Sequence, residues 1–146
     1  MRIIITNFFE WCVREELLTK NPARSIHPIK TESKPRSALT PIELEYIRRA
    51  CKTSREKALI DFLYSTGCRV SEVCGARVDD IDWVNKRVLI RHGKGNKTRW
   101  TYLNAECIVS LKAYLNTRTT ANEYVFIAER KPSTSPLTPK TIQSII

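Results

Sequence analysis

The sequence predicts a mainly α-helical chain carrying a small antiparallel β-sheet, an α+β fold. Three observations predict it. Apolar residues recur at three- and four-residue spacing behind helix-start signals, most clearly Thr40-Pro41-Ile42-Glu43. Between Val78 and Leu103 the composition shifts to β-branched and aromatic residues. Inside that stretch Gly93-Lys94-Gly95-Asn96-Lys97 supplies the glycines and asparagine of a hairpin turn.

The first predicted element is a helix over residues 3–18. Ile4, Phe8, Trp11 and Leu18 lie on one stripe, which Ile5, Phe9 and Cys12 widen beyond what one neighbouring helix would cover. Asn21-Pro22 is its expected stop, because a residue before proline disfavours the helical region. His27 to Ala38 has two prolines and no apolar period, and places His27, Lys30, Lys34 and Arg36 against one acid, Glu32. It is expected to be an extended basic linker.

Thr40 as cap, Pro41 at the first helical position and Glu43 three residues after the cap start a helix that runs to about Cys51. A second helix, from about Ser54 to Ser65, turns Ala58, Leu59, Phe62 and Leu63 inward and stops at Gly67. Val70 to Ala76 is expected to be a further short helix. Arg87–Arg91 and Thr98–Leu103 are the predicted strands either side of the turn. Asn104 caps a helix to about Thr117, Tyr124 to Ala128 is expected to be a short strand, and Thr138 starts a last helix.

Composition narrows the functional classes. The chain has 146 residues, 42% of them hydrophobic, so it can bury a core. No segment reaches the roughly 20 apolar residues of a membrane span, and the N-terminus lacks a small-residue cleavage site. Five cysteines form no CxxC pair and there are two histidines, which argues against a structural zinc site and for reduced thiols in a cytoplasm. The formal net charge of +10 favours a polyanionic partner, nucleic acid ahead of an anionic membrane.

Chemistry concentrates in Ser65-Thr66-Gly67-Cys68-Arg69-Val70-Ser71-Glu72. An arginine at a helix junction with a glutamate three residues on has two readings. One is a structural ion pair. The other is a phosphate clamp, in which the guanidinium fork matches phosphate oxygens and the carboxylate behind it fixes the aim. Lys94, between two glycines, is either a solvated turn residue or a flexible ammonium that reaches a groove or gives up a proton.

Taken together, Thr66-Gly67-Cys68-Arg69-Val70-Ser71-Glu72-Val73, the run Asp79-Asp80-Ile81-Asp82 and Gly93-Lys94-Gly95-Asn96-Lys97-Thr98-Arg99 resemble the tyrosine recombinase family, the integrases of phages and conjugative elements and their chromosomal relatives. The resemblance implies a three-stranded sheet and a partial recombinase catalytic domain. It implies a division into 1–27, the last helix of a DNA core-binding domain; 28–39, the linker; and 40–146, the N-terminal part of the catalytic domain. Arg69 would grip the scissile phosphate, Lys94 would protonate the departing 5′ oxygen, and Glu72 would support the arginine. Lys30, Lys34, Arg36, Lys97 and Arg99 would contact double-stranded DNA. No metal or other cofactor is required, because a 3′-phosphotyrosine link stores the bond energy.

The family's later His-x-x-Arg box and nucleophilic tyrosine have no counterpart in the sequence: Lys30 and Gly95 stand three residues after His27 and His92. The expectation is a fragment that holds Arg69, Glu72 and Lys94 without a nucleophile and does not turn over. The alternatives are a non-catalytic DNA-binding module or regulator, and a basic scaffold that binds partners through its first helix. Val70–Ala76 is too short and apolar for a recognition helix. The apolar stripe of helix 3–18 predicts self-association.

Overall fold

The computed structural model describes residues 2–27, 37–91, 97–128 and 135–146. The chain divides into two units, Met1–Ala38 and Leu39–Ile146.

In the first unit, helix α1 spans Arg2–Arg14, four residues shorter at its end than the expected 3–18. A Schellman turn closes it. Glu16 adopts φ +58°, Glu16 N–H donates to Val13 O at 3.2 Å, and Leu17 N–H donates to Cys12 O at 2.9 Å. A glutamate holds the left-handed position that glycine usually fills, so the stop carried no glycine to mark it. A 3-10 turn at Pro22–Ser25 follows. Asn21 joins the two: its Oδ1 accepts Ala23 N–H at 2.8 Å and its Nδ2 donates to Thr6 O at 3.2 Å. Ile3, Ile4, Phe8 and Trp11 of α1 stay exposed.

In the second unit, α2 (Pro41–Ala50) and α3 (Ser54–Thr66) each begin with a capping box, Thr40 with Glu43 and Thr53 with Glu56. Helix α3 ends at Gly67, whose φ of +59° suits a residue without Cβ and whose N–H donates to Leu63 O. The short α4 covers Val70–Cys74. A 3-10 turn at Val78–Asp80 leads into the sheet. Its strands β1 (Ile81–Asp82), β2 (Arg87–Ile90) and β3 (Arg99–Tyr102) pair antiparallel in the order β1-β2-β3. Helix α5 (Ala105–Thr117) is capped by Asn104 Oδ1 on Cys107 N–H, and α6 (Pro139–Ile145) by Thr138.

The three-stranded sheet expected from the sequence is present, but its third member is β1. Tyr124–Ala128 forms isolated bridges instead, Arg77 with Tyr124 and Ile127 with Pro136. A side chain takes the place of a neighbouring strand here: Arg118 Nη1 donates to Tyr124 O at 2.9 Å and its Nη2 to Asn122 O at 3.1 Å. The core runs between α3, α5 and the sheet: Leu59, Phe62, Val73, Val88, Leu111, Phe126 and Ile142 are fully buried. Phe62 meets Phe126 edge-on, with ring centroids 5.5 Å apart. Among the described residues no helix is long and apolar enough to cross a membrane.

Candidate functional site

The residues after Gly67 are fixed from two sides. Thr66 Oγ1 donates back to Phe62 O at 2.6 Å and accepts Cys68 N–H at 3.3 Å, closing the end of α3. Strand β3 then stitches to the same loop: Thr101 Oγ1 donates to Thr66 O at 3.0 Å and Ser65 Oγ donates to Tyr102 O at 3.2 Å. Arg69 follows as the extended residue at the N-terminus of α4, with φ −67° and ψ 150°.

Glu72 sits one turn into α4 with its side chain fully buried. Among the described residues its carboxylate accepts four hydrogen bonds. Two come from Arg69, N–H to Oε2 at 2.8 Å and Nη1 to Oε1 at 3.0 Å. Two come from Arg99 on β3, Nη1 to Oε1 at 2.9 Å and Nη2 to Oε2 at 2.8 Å. A carboxylate so supplied strongly prefers its charged form. The Arg99 guanidinium, aided by Arg69, holds the Glu72 pKa down to about 2 against the opposing effect of burial.

Arg69 itself faces outward, its side chain 57% exposed. One Nη is committed to Glu72, and among the described residues Nε and Nη2 have no protein partner. The result is a guanidinium fork aimed from below and open above, a geometry suited to a tetrahedral oxyanion.

A second arginine–carboxylate pair flanks the same sheet. Arg91, just past β2, donates Nη2 to Asp80 Oδ1 at 2.6 Å and Nε to Asp80 Oδ2 at 2.8 Å, with Asp80 buried. Sequence reasoning singled out the aspartate-rich run but missed this pair. It also missed Glu72 as the partner of Arg99, which lies 27 residues away in the chain.

The other expected site residues divide. Lys97 is exposed. Lys94, Lys30, Lys34 and Arg36 lie outside the described residues. Among the described residues no group of three or more His, Cys, Asp or Glu could hold a metal ion.

The family model described as "Phage integrase family" matches residues 37–146. The chain belongs to the phage integrase family. This integrase-family chain is 34% identical over 117 residues to tyrosine recombinase XerC of Bacillus subtilis (strain 168), a match covering 77% of this chain and 38% of the relative. It is 30% identical over 120 residues to tyrosine recombinase XerA of Pyrococcus horikoshii, covering 82% of this chain and 42% of the relative. The integrase-family chain therefore spans about two fifths of the length of these relatives. In fold it is similar to a lambda integrase (75-356) dimer bound to a COC' core site, with a TM-score of 0.76 and 19% identity over 97% of this chain and 52% of that one.

Proposed function

We propose that this chain is part of a site-specific tyrosine recombinase that binds duplex DNA and, in the longer protein to which it corresponds, cuts and rejoins strands through a 3′-phosphotyrosine intermediate. The observation that carries this is the open guanidinium of Arg69, held in place by the buried carboxylate of Glu72. Arg69 grips the scissile phosphate and neutralises the charge that grows on its oxygens in the pentacoordinate transition state. Removing such a donor typically costs on the order of 10²–10³ in rate. Lys94 protonates the departing 5′ oxygen. The likeness to the two Xer recombinases supports these assignments.

Lys30, Lys34, Arg36 and Lys97 contact phosphates in this reading, with 1–27 belonging to a core-binding domain, 28–39 crossing the duplex and 40–146 belonging to the catalytic domain. The exposed Ile3, Ile4, Phe8 and Trp11 of α1 pack against a second copy of the chain.

The test is a mobility shift of this chain on duplex DNA over a range of salt. Binding that weakens linearly in log–log form as salt rises is the expected result. A flat salt response, or no shift at high micromolar protein in low salt, overturns it.

A further inference from the structure

Arg99 occupies an inward position on β3 that strand patterning normally gives to an apolar residue. Along Arg99-Trp100-Thr101-Tyr102 the order of faces is inverted: Trp100 and Tyr102 are exposed, while Arg99 and Thr101 lie on the opposite face and are half-buried. Both inward residues spend their donors on the segment that carries Arg69. Thr101 reaches the Thr66 carbonyl, and Arg99 places both Nη groups on the two oxygens of Glu72. Arg69 depends on the same two oxygens, so one carboxylate sets the orientation of both arginines. Arg91 makes an equivalent two-pronged pair with Asp80 at the end of β2. The two strand ends on either side of residues 92–96 are therefore each fixed to a buried carboxylate.

We propose that Arg99 is a positioning residue: through Glu72 it sets the orientation of Arg69, and so joins the strand that leads from the Lys94 segment to the phosphate-gripping arginine. This deepens the proposed function and rests on it. Arg99 in this role does not read DNA. Each of its Nη groups donates one hydrogen bond to Glu72, and its contribution to phosphate binding passes through Arg69. Neutralising or shortening Arg99 leaves Glu72 with donors from Arg69 alone and loosens the carboxylate's hold on the Arg69 fork.

Two measurements on the whole chain test this. The first is a double-mutant cycle of duplex affinity in low salt with Arg69→Ala, Arg99→Ala and both together. A residue that acts through another loses its effect once the other is gone. Each single variant is expected to lose about tenfold in affinity, and the double variant no more than about tenfold, where independent phosphate contacts would multiply to about a hundredfold. The second is the Nε–Hε resonance of Arg69 with the titration of the Glu72 carboxyl. In Arg99→Ala the Arg69 signal is expected to collapse toward the averaged position of a free arginine and Glu72 to titrate at higher pH. Arg99→Lys, whose point charge reaches one oxygen at a time, is expected to give intermediate values. It also keeps the test decisive where the alanine variant fails to fold. A multiplicative loss of affinity, or an Arg69 resonance unchanged in the folded Arg99 variants, overturns the proposal. If the wild-type chain fails to bind duplex, the reading of function falls while the Arg69 resonance still decides the role of Arg99.

Discussion

Arg48 on α2 places its Nε 2.6 Å from Oδ1 of Asp61 on α3, and Asp61 is 1% exposed. The second oxygen, Oδ2, is buried without a partner among the described residues. A buried carboxylate with one donor depends heavily on that donor, because burial of an unpaired charge is what costs most.

Arg48→Met is therefore expected to destabilise the chain by about 3–5 kcal/mol, the range for stranding one member of a buried pair. Arg48→Met with Asp61→Leu removes both charges and should recover more than half of that loss. Denaturant unfolding of the three proteins measures it. A double variant as unstable as Arg48→Met would show that the pair's charge is not what matters.

Glu72 predicts an acid-sensitive window. Its folded pKa of about 2 lies below its ordinary value of 4.5. A carboxyl depressed in this way contributes stability that is complete above the ordinary value and is lost as pH falls from there toward the folded one. Stability should thus drop on acidification below about pH 4.5, and Glu72→Gln should flatten that part of the curve. Unfolding midpoints across the acid range for both proteins give the comparison. Parallel curves would mean that other carboxyls dominate the window.

Two helix ends predict opposite signs. Gly67 has φ +59° and open space where a Cβ would stand, so Gly67→Ala meets only backbone strain, about 1–2 kcal/mol. Glu16 already bears that strain at φ +58°, and Glu16→Gly should stabilise by about 0.5–1 kcal/mol. Thermal unfolding reads both, and equal signs would contradict the left-handed caps.

Thiol reactivity should follow burial. Burial pushes the Cys107 thiol up to about 12, whereas Cys51 and Cys74 are half-buried with smaller upward shifts. Cys107 should resist alkylation near neutral pH until the chain unfolds, with Cys51 and Cys74 labelled earlier. Mass mapping of the labelled peptides checks the order.

The helix starts were legible because caps are local. Thr40, Asn104 and Thr138 each accept an N–H three residues on, a relation that spacing alone reveals. The run Gly67-Cys68-Arg69-Val70-Ser71-Glu72 was legible for the same reason, since Arg69 and Glu72 are three residues apart. What escaped the sequence was non-local or sign-inverted. The end of α1 rests on a glutamate doing a glycine's work. Strand β1 is two residues long, too short for any alternation to show. Tyr124–Ala128 carries strand-like residues, and the carbonyl grip of Arg118 is invisible in its own composition. Arg99 was read as a DNA contact from its place after the Gly93–Lys97 run, and its pairing with Glu72, 27 residues away, leaves no local mark there. Here Trp100 faces out and carries the guanidinium of Arg87 stacked 4.3 Å from its ring centroid.

The hold of Arg118 on the carbonyls of Asn122 and Tyr124 also makes that arginine a poor protease substrate. Trypsin must draw several residues around its target into an extended strand in its own cleft, with the arginine side chain swung down into a specificity pocket. Arg118 can enter such a pocket only by releasing the carbonyls that shape the loop ahead of it, while the Val78 N–H bond to Glu123 O and the Val125 N–H bond to Ala76 O hold that loop to the body. Cutting after Arg118 therefore waits on the release of these bonds, and its rate reports that opening rather than the mere exposure of the arginine.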